Sequence, residues 1–292
     1  MSGKNRVINY VANIVLAILS LCVIIPFILL ISSSITAEQS LIRDGYRFIP
    51  KDIDFSAYRV LLGGSASILN GYVVSFGITL IGTVLSLVIT TLFAYPLSRK
   101  DLPGRNIIAF FLFFTMLFNG GLVPSYMMWT QIFHIKNTIW ALLLPNLLMS
   151  GFNVIMMRTF FTTNIPEAVI DAARIDGASE WKILLKVVLP MSLPIMATIG
   201  LLVGLGYWND WLNGLYYVND DRLYSIQVIL NKMLLNAEAM KKAASAGIMT
   251  GALPSTGMKM AVAVLGALPV MVLYPFFQKY FVKGITVGAV KG

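Results

Sequence analysis

Six stretches of the chain are almost continuously apolar and long enough to cross a bilayer, which takes ~20 helical residues. They run from Tyr10 to Ile31, Tyr72 to Leu97, Ile107 to Met128, Thr138 to Met157, Met191 to Leu212 and Met258 to Phe281, and the segments between them hold most of the charge. The first run follows Lys4 and Arg6 as a signal peptide would. It exceeds the roughly 7–15 residues of such an apolar core, and no firm small-x-small site follows it, so it is read as an uncleaved helix. Within the second run Ser75, Thr79, Gly82, Thr83, Ser86 and Thr90 recur at three- and four-residue spacing, a small-polar face on which another helix can approach closely. Asn146, Ser150 and Asn153 fall on one face of the fourth predicted helix. That stripe reads either as interhelical hydrogen bonding, because an unpartnered amide in hydrocarbon costs several kcal/mol, or as part of a wet translocation path.

An even number of spans puts both termini on one side. With the termini in the cytoplasm, the inner segments hold twelve of the 22 Lys and Arg, a thin margin. The long outer loops, Ser32 to Gly71 and Asn213 to Gly257, count for less under the positive-inside rule. The short Ser98 to Arg105 turn, with three cations in eight residues, therefore decides for cytoplasmic termini.

Composition agrees with this pattern: 58% of residues are hydrophobic and 12% charged, against roughly 45–50% and 25% in globular chains. The fold expected is all-α, a polytopic membrane protein forming one transmembrane domain over residues 1–292 in the cell membrane, in contact with its lipid. The formal charge of +9 sits between apolar runs instead of along one stripe, which fits topology and anionic headgroups and excludes a nucleic-acid partner. One cysteine, Cys22, and one histidine, His134, exclude a disulfide framework and a Cys/His metal cluster.

Between the fourth and fifth spans, residues 158–190 are too ordered in pattern for a linker. Asn164 and Glu167 have capping-box spacing, Pro166 suits a first turn and Gly177 a left-handed stop, which predicts a helix from Ile165 to Asp176. Ser179 then caps a second helix, Glu180 to Leu189, closed by Pro190. Glu167 and Asp171 lie on one face and repel, with Arg174 relieving only part of this, so a basic group outside the chain is expected to satisfy them. On the opposite face Ala172 and Ala173 leave almost no bulk, so the helix can lie deep in a partner's groove. A helix resting on headgroups would carry Lys and Arg on its polar face, and this face begins acidic.

Ile165-Pro166-Glu167, the run from Asp171 to Ser179, and Leu189-Pro190 resemble the EAA loop of binding-protein-dependent ABC importer permeases. Resemblance continues through Asn119 to Pro124, Asn137 to Trp140, Phe152 to Ile155, Gly206 to Asp210 and the terminal Lys283 to Gly292. These resemble the carbohydrate-uptake branch, of the polysaccharide and complex-oligosaccharide type that includes a subunit of the alginate importer, with a more distant similarity to the smaller maltose-importer permease. The resemblance implies a type I importer fold in which the loop is a coupling helix docked on an ATPase, with Glu167, Asp171, Ala172, Ala173, Arg174, Asp176 and Gly177 as its contact residues. It also implies a second homologous permease forming a heterodimer, two ATPase subunits that bind ATP and Mg, an extracytoplasmic sugar-binding protein and an oligosaccharide or polysaccharide substrate. Where the family motif has Glu before the two alanines, this chain has Asp171, a methylene shorter, which makes Glu167 a candidate to share the contact.

The chain itself holds no G-x-x-x-x-G-K-[ST] sequence and no nucleophile constellation, so no enzymatic activity and no resident cofactor are expected of it. Its spans lack a midplane Asp, Glu, Lys or Arg, which counts against an ion-coupled secondary carrier. The helix–glycine–helix segment counts against a non-transporting scaffold. Counting ~1.5 Å per residue from Met191 puts Asp210 about 29 Å along the fifth helix, at the far interface. There Tyr207, Trp208, Asn209, Asp210 and Trp211 form an aromatic belt, a sugar-handling mouth, or both. The loop 213–257 then carries an amphipathic helix, Ile226 to Ala244, and a Gly- and Pro-containing tip, Gly247 to Gly257. In the maltose importer the corresponding loop reaches into the binding protein, so docking and packing on the partner permease both stand as readings.

Overall fold

The computed structural model describes residues 3–63, 65–245 and 255–289. In chain order these form α1 (Gly3–Ser34), α2 (Glu38–Asp44), α3 (Ser56–Leu62), α4 (Ser65–Ser98), α5 (Arg105–Leu117), α6 (Leu122–Met127), α7 (Trp140–Leu143), α8 (Gly151–Asn164), α9 (Glu167–Ile175), α10 (Glu180–Ile183), α11 (Leu189–Met191), α12 (Leu193–Trp208), α13 (Leu212–Tyr217), α14 (Ile226–Ser245) and α15 (Ser255–Ala289). Two π-turns interrupt them, Met128–Ile132 after α6 and Leu184–Val188 after α10. The only extended pairing among the described residues is one antiparallel bridge, Thr36 to Ile53. The fold is all-helical, as the apolar periodicity predicts.

Contacts divide the chain into two compact units, Met1–Ile68 with Leu230–Pro269, and Leu69–Ile229 with Val270–Gly292. In the first, the apolar helix Asn9–Ser34 is long enough to span a bilayer and leads into α2 and α3. Ser32 donates to the carbonyl of Arg47 at 2.7 Å, and Tyr58 donates to Ser34 at 2.8 Å, tying the helix end to the segment that follows. The N-terminus of α15 is capped from a distance: the Glu38 carboxylate accepts from Thr256 N at 3.0 Å and Gly257 N at 2.9 Å. A carboxylate there satisfies orphan amides and complements the helix dipole. The expected loop tip, Gly247 to Gly257, lies outside the described residues as far as residue 254.

In the second unit three of the predicted spans are bent or broken, and each of these carries an internal proline, Pro124, Pro145 or Pro194. The third bends by 112° between Arg105–Leu117 and Leu122–Ile132, because Asn119-Gly120-Gly121 forms a turn with Gly121 at φ +85°. The fourth is broken: α7 ends at Leu143, and helix resumes only at Gly151. The fifth meets an 81° bend between Glu180–Met191 and Leu193–Trp208. Pro190 does not close a helix there; it sits at the start of the short α11, after a π-turn in which Leu189 N–H bonds to Leu184 O. The wider turn carries the chain to a residue with no amide proton to offer.

The small-polar face of α4 receives α12, as expected. Gly200 and Gly204 bring that helix against Leu87 and Thr83: a Cβ on Gly204 would lie 3.4 Å from Thr83 Oγ1. Gly82 does the same for an aromatic ring, since a Cβ there would fall 2.4 Å from Tyr207 Cζ. The amphipathic stretch of the 213–257 loop is helical from Ile226, whose amide donates to Ser75 Oγ at 2.8 Å.

Candidate functional site

Two groups of predicted residues take shape in the second unit. The first is the helix–glycine–helix module. Gly177 adopts φ +76°, with Gly177 N bonding to Arg174 O and Ala178 N to Ala173 O, both at 3.0 Å. That pair of bonds is a Schellman motif, and Gly is needed because the position is left-handed. Ser179 Oγ accepts from Lys182 N at 3.4 Å, capping α10 as predicted. The Asn164 capping box does not form. Helix α8 continues through Asn164, and its side chain turns back to Phe160 O at 3.3 Å, so α9 begins only at Glu167, after an extended Pro166.

Glu167 and Arg174 find ion-pair partners within the chain that the sequence did not indicate, while Asp171 keeps only the Arg174 contact already expected. Lys100 Nζ lies 2.7 Å from Glu167 Oε2, and Arg174 Nη2 lies 3.1 Å from Asp101 Oδ2. Arg174 Nε also bonds to Glu180 Oε1 at 2.8 Å, and its Nη1 lies 3.8 Å from Asp171 Oδ1. The remaining Glu180 oxygen accepts from Tyr95 OH at 2.6 Å. Hydrogen bonding from Lys100 holds the Glu167 carboxyl below its ordinary range. Lys100, Asp101, Tyr95 and Glu180 escape sequence reading because helical spacing relates only near neighbours, whereas Lys100 stands 67 residues before Glu167.

With Glu167 and Arg174 held by these surface ion pairs, α9 presents a different apolar face from the one expected. Ile170 is buried and Ala173 half-buried, while Ala168, Ala172 and Ile175 lie exposed at helical i, i+4, i+7 spacing. Ile175 is 86% exposed, and on α10 Trp181 is 63% exposed. Asp176 and Gly177 are exposed beside them. This is a small, flat, apolar surface bordered by Asp171, carried on a helix that is fixed from behind.

The second group surrounds the break in the fourth predicted span. Asn146, Ser150 and Asn153 do not share a helix face: Asn146 is exposed at φ +63° in the irregular segment, Ser150 precedes α8 and Asn153 is buried inside it. Unwinding frees backbone carbonyls, and side chains from the far end of the fifth span take them. Tyr207 OH donates to Leu143 O at 2.8 Å, and Asn213 Nδ2 donates to Pro145 O at 3.0 Å. Asp210 Oδ1 accepts from Asn213 N at 3.2 Å and so holds the start of α13. Tyr207 and Asn213 are thus bracing groups, both buried. Trp208 turns the other way, against Tyr72 and Phe76, and lines an apolar cleft of about 800 Å³ between α4 and α12 with Thr79, Thr83, Gly200 and Gly204. Asn209 is exposed and bonds back to Leu205 O, and Trp211 is 38% exposed. Of the five residues predicted for a mouth, two brace or line the interior and two face outward, with Asp210 between them.

An all-helical chain with bilayer-length apolar helices, an apolar cleft between two of them and a braced helix–glycine–helix module has the build of a membrane transport subunit. The chain belongs to the family of binding-protein-dependent transport system inner membrane components, whose signature matches residues 6–287. It is 36% identical to the polygalacturonan/rhamnogalacturonan transport system permease protein YtcP of Bacillus subtilis (strain 168), over 99% of this chain and 100% of that one. It is 34% identical to protein LplC of the same organism, over 92% and 90%. Among solved structures, one chain of a bacterial ABC transporter involved in the import of the acidic polysaccharide alginate superposes with a TM-score of 0.78 at 30% identity, covering 96% of this chain and 99% of that one.

Proposed function

We propose that this chain is one of two different permeases in an ATP-driven importer that brings an oligosaccharide or polysaccharide across the cell membrane by alternating access. The observation that carries the reading is the α9 face. Ion pairs within the chain fix Glu167 and Arg174 and leave Ala168, Ala172 and Ile175 as a flat apolar strip, with Trp181 nearby, free to seat in a groove of an ATPase subunit. In this reading the chain crosses the membrane six times, some crossings being bent or broken, and the module and both termini face the cytoplasm. Two ATPase subunits supply ATP and Mg, and an extracytoplasmic binding protein delivers the sugar to the 213–257 side.

One similar protein is named for polygalacturonan/rhamnogalacturonan transport and another belongs to an importer of the acidic polysaccharide alginate, while relatives of lower identity are named for arabinooligosaccharides and maltodextrin; the first two support an acidic polysaccharide here. Asn146, Asn209 and Trp211 are exposed groups suited to sugar hydroxyls and C–H faces. Trp208 lines the apolar cleft between α4 and α12, while Tyr207 acts by fixing the break.

The test is purification of the tagged chain from its native membrane. Recovery of an ATPase and a second permease is expected, with uptake of oligogalacturonate by the reconstituted assembly. Ala172→Trp places bulk on the outward face and should abolish ATPase recovery while insertion persists. Undiminished recovery with normal uptake would remove the docking role from α9.

A further inference from the structure

The turn joining α4 to α5 is stiff, and it is fastened to the back of the module. Arg99 N bonds to Pro96 O at 3.0 Å, and Arg105 reaches across the turn to Arg99 O at 3.3 Å. Gly104, at φ +72°, starts α5, and its carbonyl accepts from Ile107 N at 2.9 Å. Lys100 and Asp101, adjacent at the tip, make two ion pairs to α9, one at Glu167 and one at Arg174, which are seven residues apart and so about two turns along the same helix face. Arg158 of α8 donates to Leu97 O at 3.0 Å, and Tyr95 of α4 donates to Glu180 of α10. Helices α8, α9 and α10 are therefore each bonded to the end of α4 or to the turn after it. A flexible connection would absorb a displacement; this one is bridged internally and held at two points.

We infer that Lys100 and Asp101 are positioning residues for coupling. They make the α4–α5 turn move as one body with the module, so that its displacement enters α4 and α5 as well as the covalently continuous α8 and α12. This rests on the reading that α9 docks the ATPase, and it adds a second route by which that movement reaches the membrane helices. Neither residue lies on the outward face of α9, so the route can fail while docking survives.

Two measurements on the complete reconstituted assembly test this. Exposed ion pairs hold an equilibrium by no more than about five-fold each, so reversal of both charges is needed for a clear effect. Lys100→Glu with Asp101→Lys should lower sugar imported per ATP hydrolysed about five-fold or more, with ATPase recovery unchanged. In the second, Cys22 is replaced by Ser and the pair Lys100→Cys, Glu167→Cys is joined by a short bifunctional thiol reagent. Transport should survive the crosslink, because the joined parts already travel together. A wild-type coupling ratio in the reversed variant overturns the inference, and so does transport that stops on crosslinking and returns on cleavage of the link. Lost ATPase recovery in the reversed variant also overturns it, since the turn would then act through docking. Failure of wild-type chain to recover an ATPase at all would instead sink the docking reading beneath it.

Discussion

The α9 module and the break at Leu143–Pro145 are both departures from a straight membrane helix, and opposite forces hold them. The module is fixed by charges at the surface: Lys100 and Glu167 side chains are 72% and 57% exposed. The break is fixed by two neutral hydrogen bonds from buried side chains, Tyr207 and Asn213. Exposed pairs contribute little each and are weakened by salt. A buried carbonyl that loses its donor costs about 1–3 kcal/mol. Weak, adjustable bonds thus surround the part proposed to move against another subunit, and strong ones lock the part that shapes the interior.

The sharpest way to break this contrast is at Gly82, where a side chain would drive into the Tyr207 ring. Gly82→Leu should destabilise the chain by about 3 kcal/mol or more through overpacking, read as loss of folded protein in a detergent thermal melt. Tyr207→Phe removes only the hydroxyl and leaves Leu143 O unsatisfied, for an expected loss of about 1–3 kcal/mol in the same melt. If it melts like wild type, the break does not depend on its brace. Gly177→Val forces a β-branched residue into the left-handed region at about 1–2 kcal/mol. Hydrogen exchange should show fraying confined to the C-terminal turn of α9, with the amides near Leu143 unchanged.

The smallest effect comes from acid. Bonding to Lys100 lowers the Glu167 carboxyl below its ordinary 4.5, so the contribution of this pair is present above that value and is lost as pH falls through the lowered one. Amide exchange in α9, corrected for intrinsic rates, should therefore be flat from about pH 8 to 5 and rise only below. The Tyr207 to Leu143 bond contains no group that titrates in that window. Equal acid sensitivity at both places would erase the distinction between them.

The same contrast explains what could be read from sequence. Gly177 and Ser179 were legible because a cap acts on residues three or four positions away. Asn164 misled because capping-box spacing says nothing of whether the preceding helix has already ended. The partners of Glu167 and Arg174 were invisible because Lys100 and Asp101 reach them only through the tertiary fold. The broken fourth span was hidden for a related reason: its apolar pattern is that of a helix, and the donors that make unwinding tolerable, Tyr207 and Asn213, lie more than sixty residues downstream. Pro145 was its only local mark. The bend in the third span, by contrast, was announced by Asn119-Gly120-Gly121, which the apolar run on either side outweighed.

The cap that Glu38 places on α15 gives the chain a clock. Glu38 leaves the ribosome 218 residues before the amide it will bind at Thr256, which at about 5–20 residues per second is roughly 11–44 s of synthesis. Throughout that interval α2 stands without this long-range contact. Closure of this contact therefore waits until the start of α15 has been made.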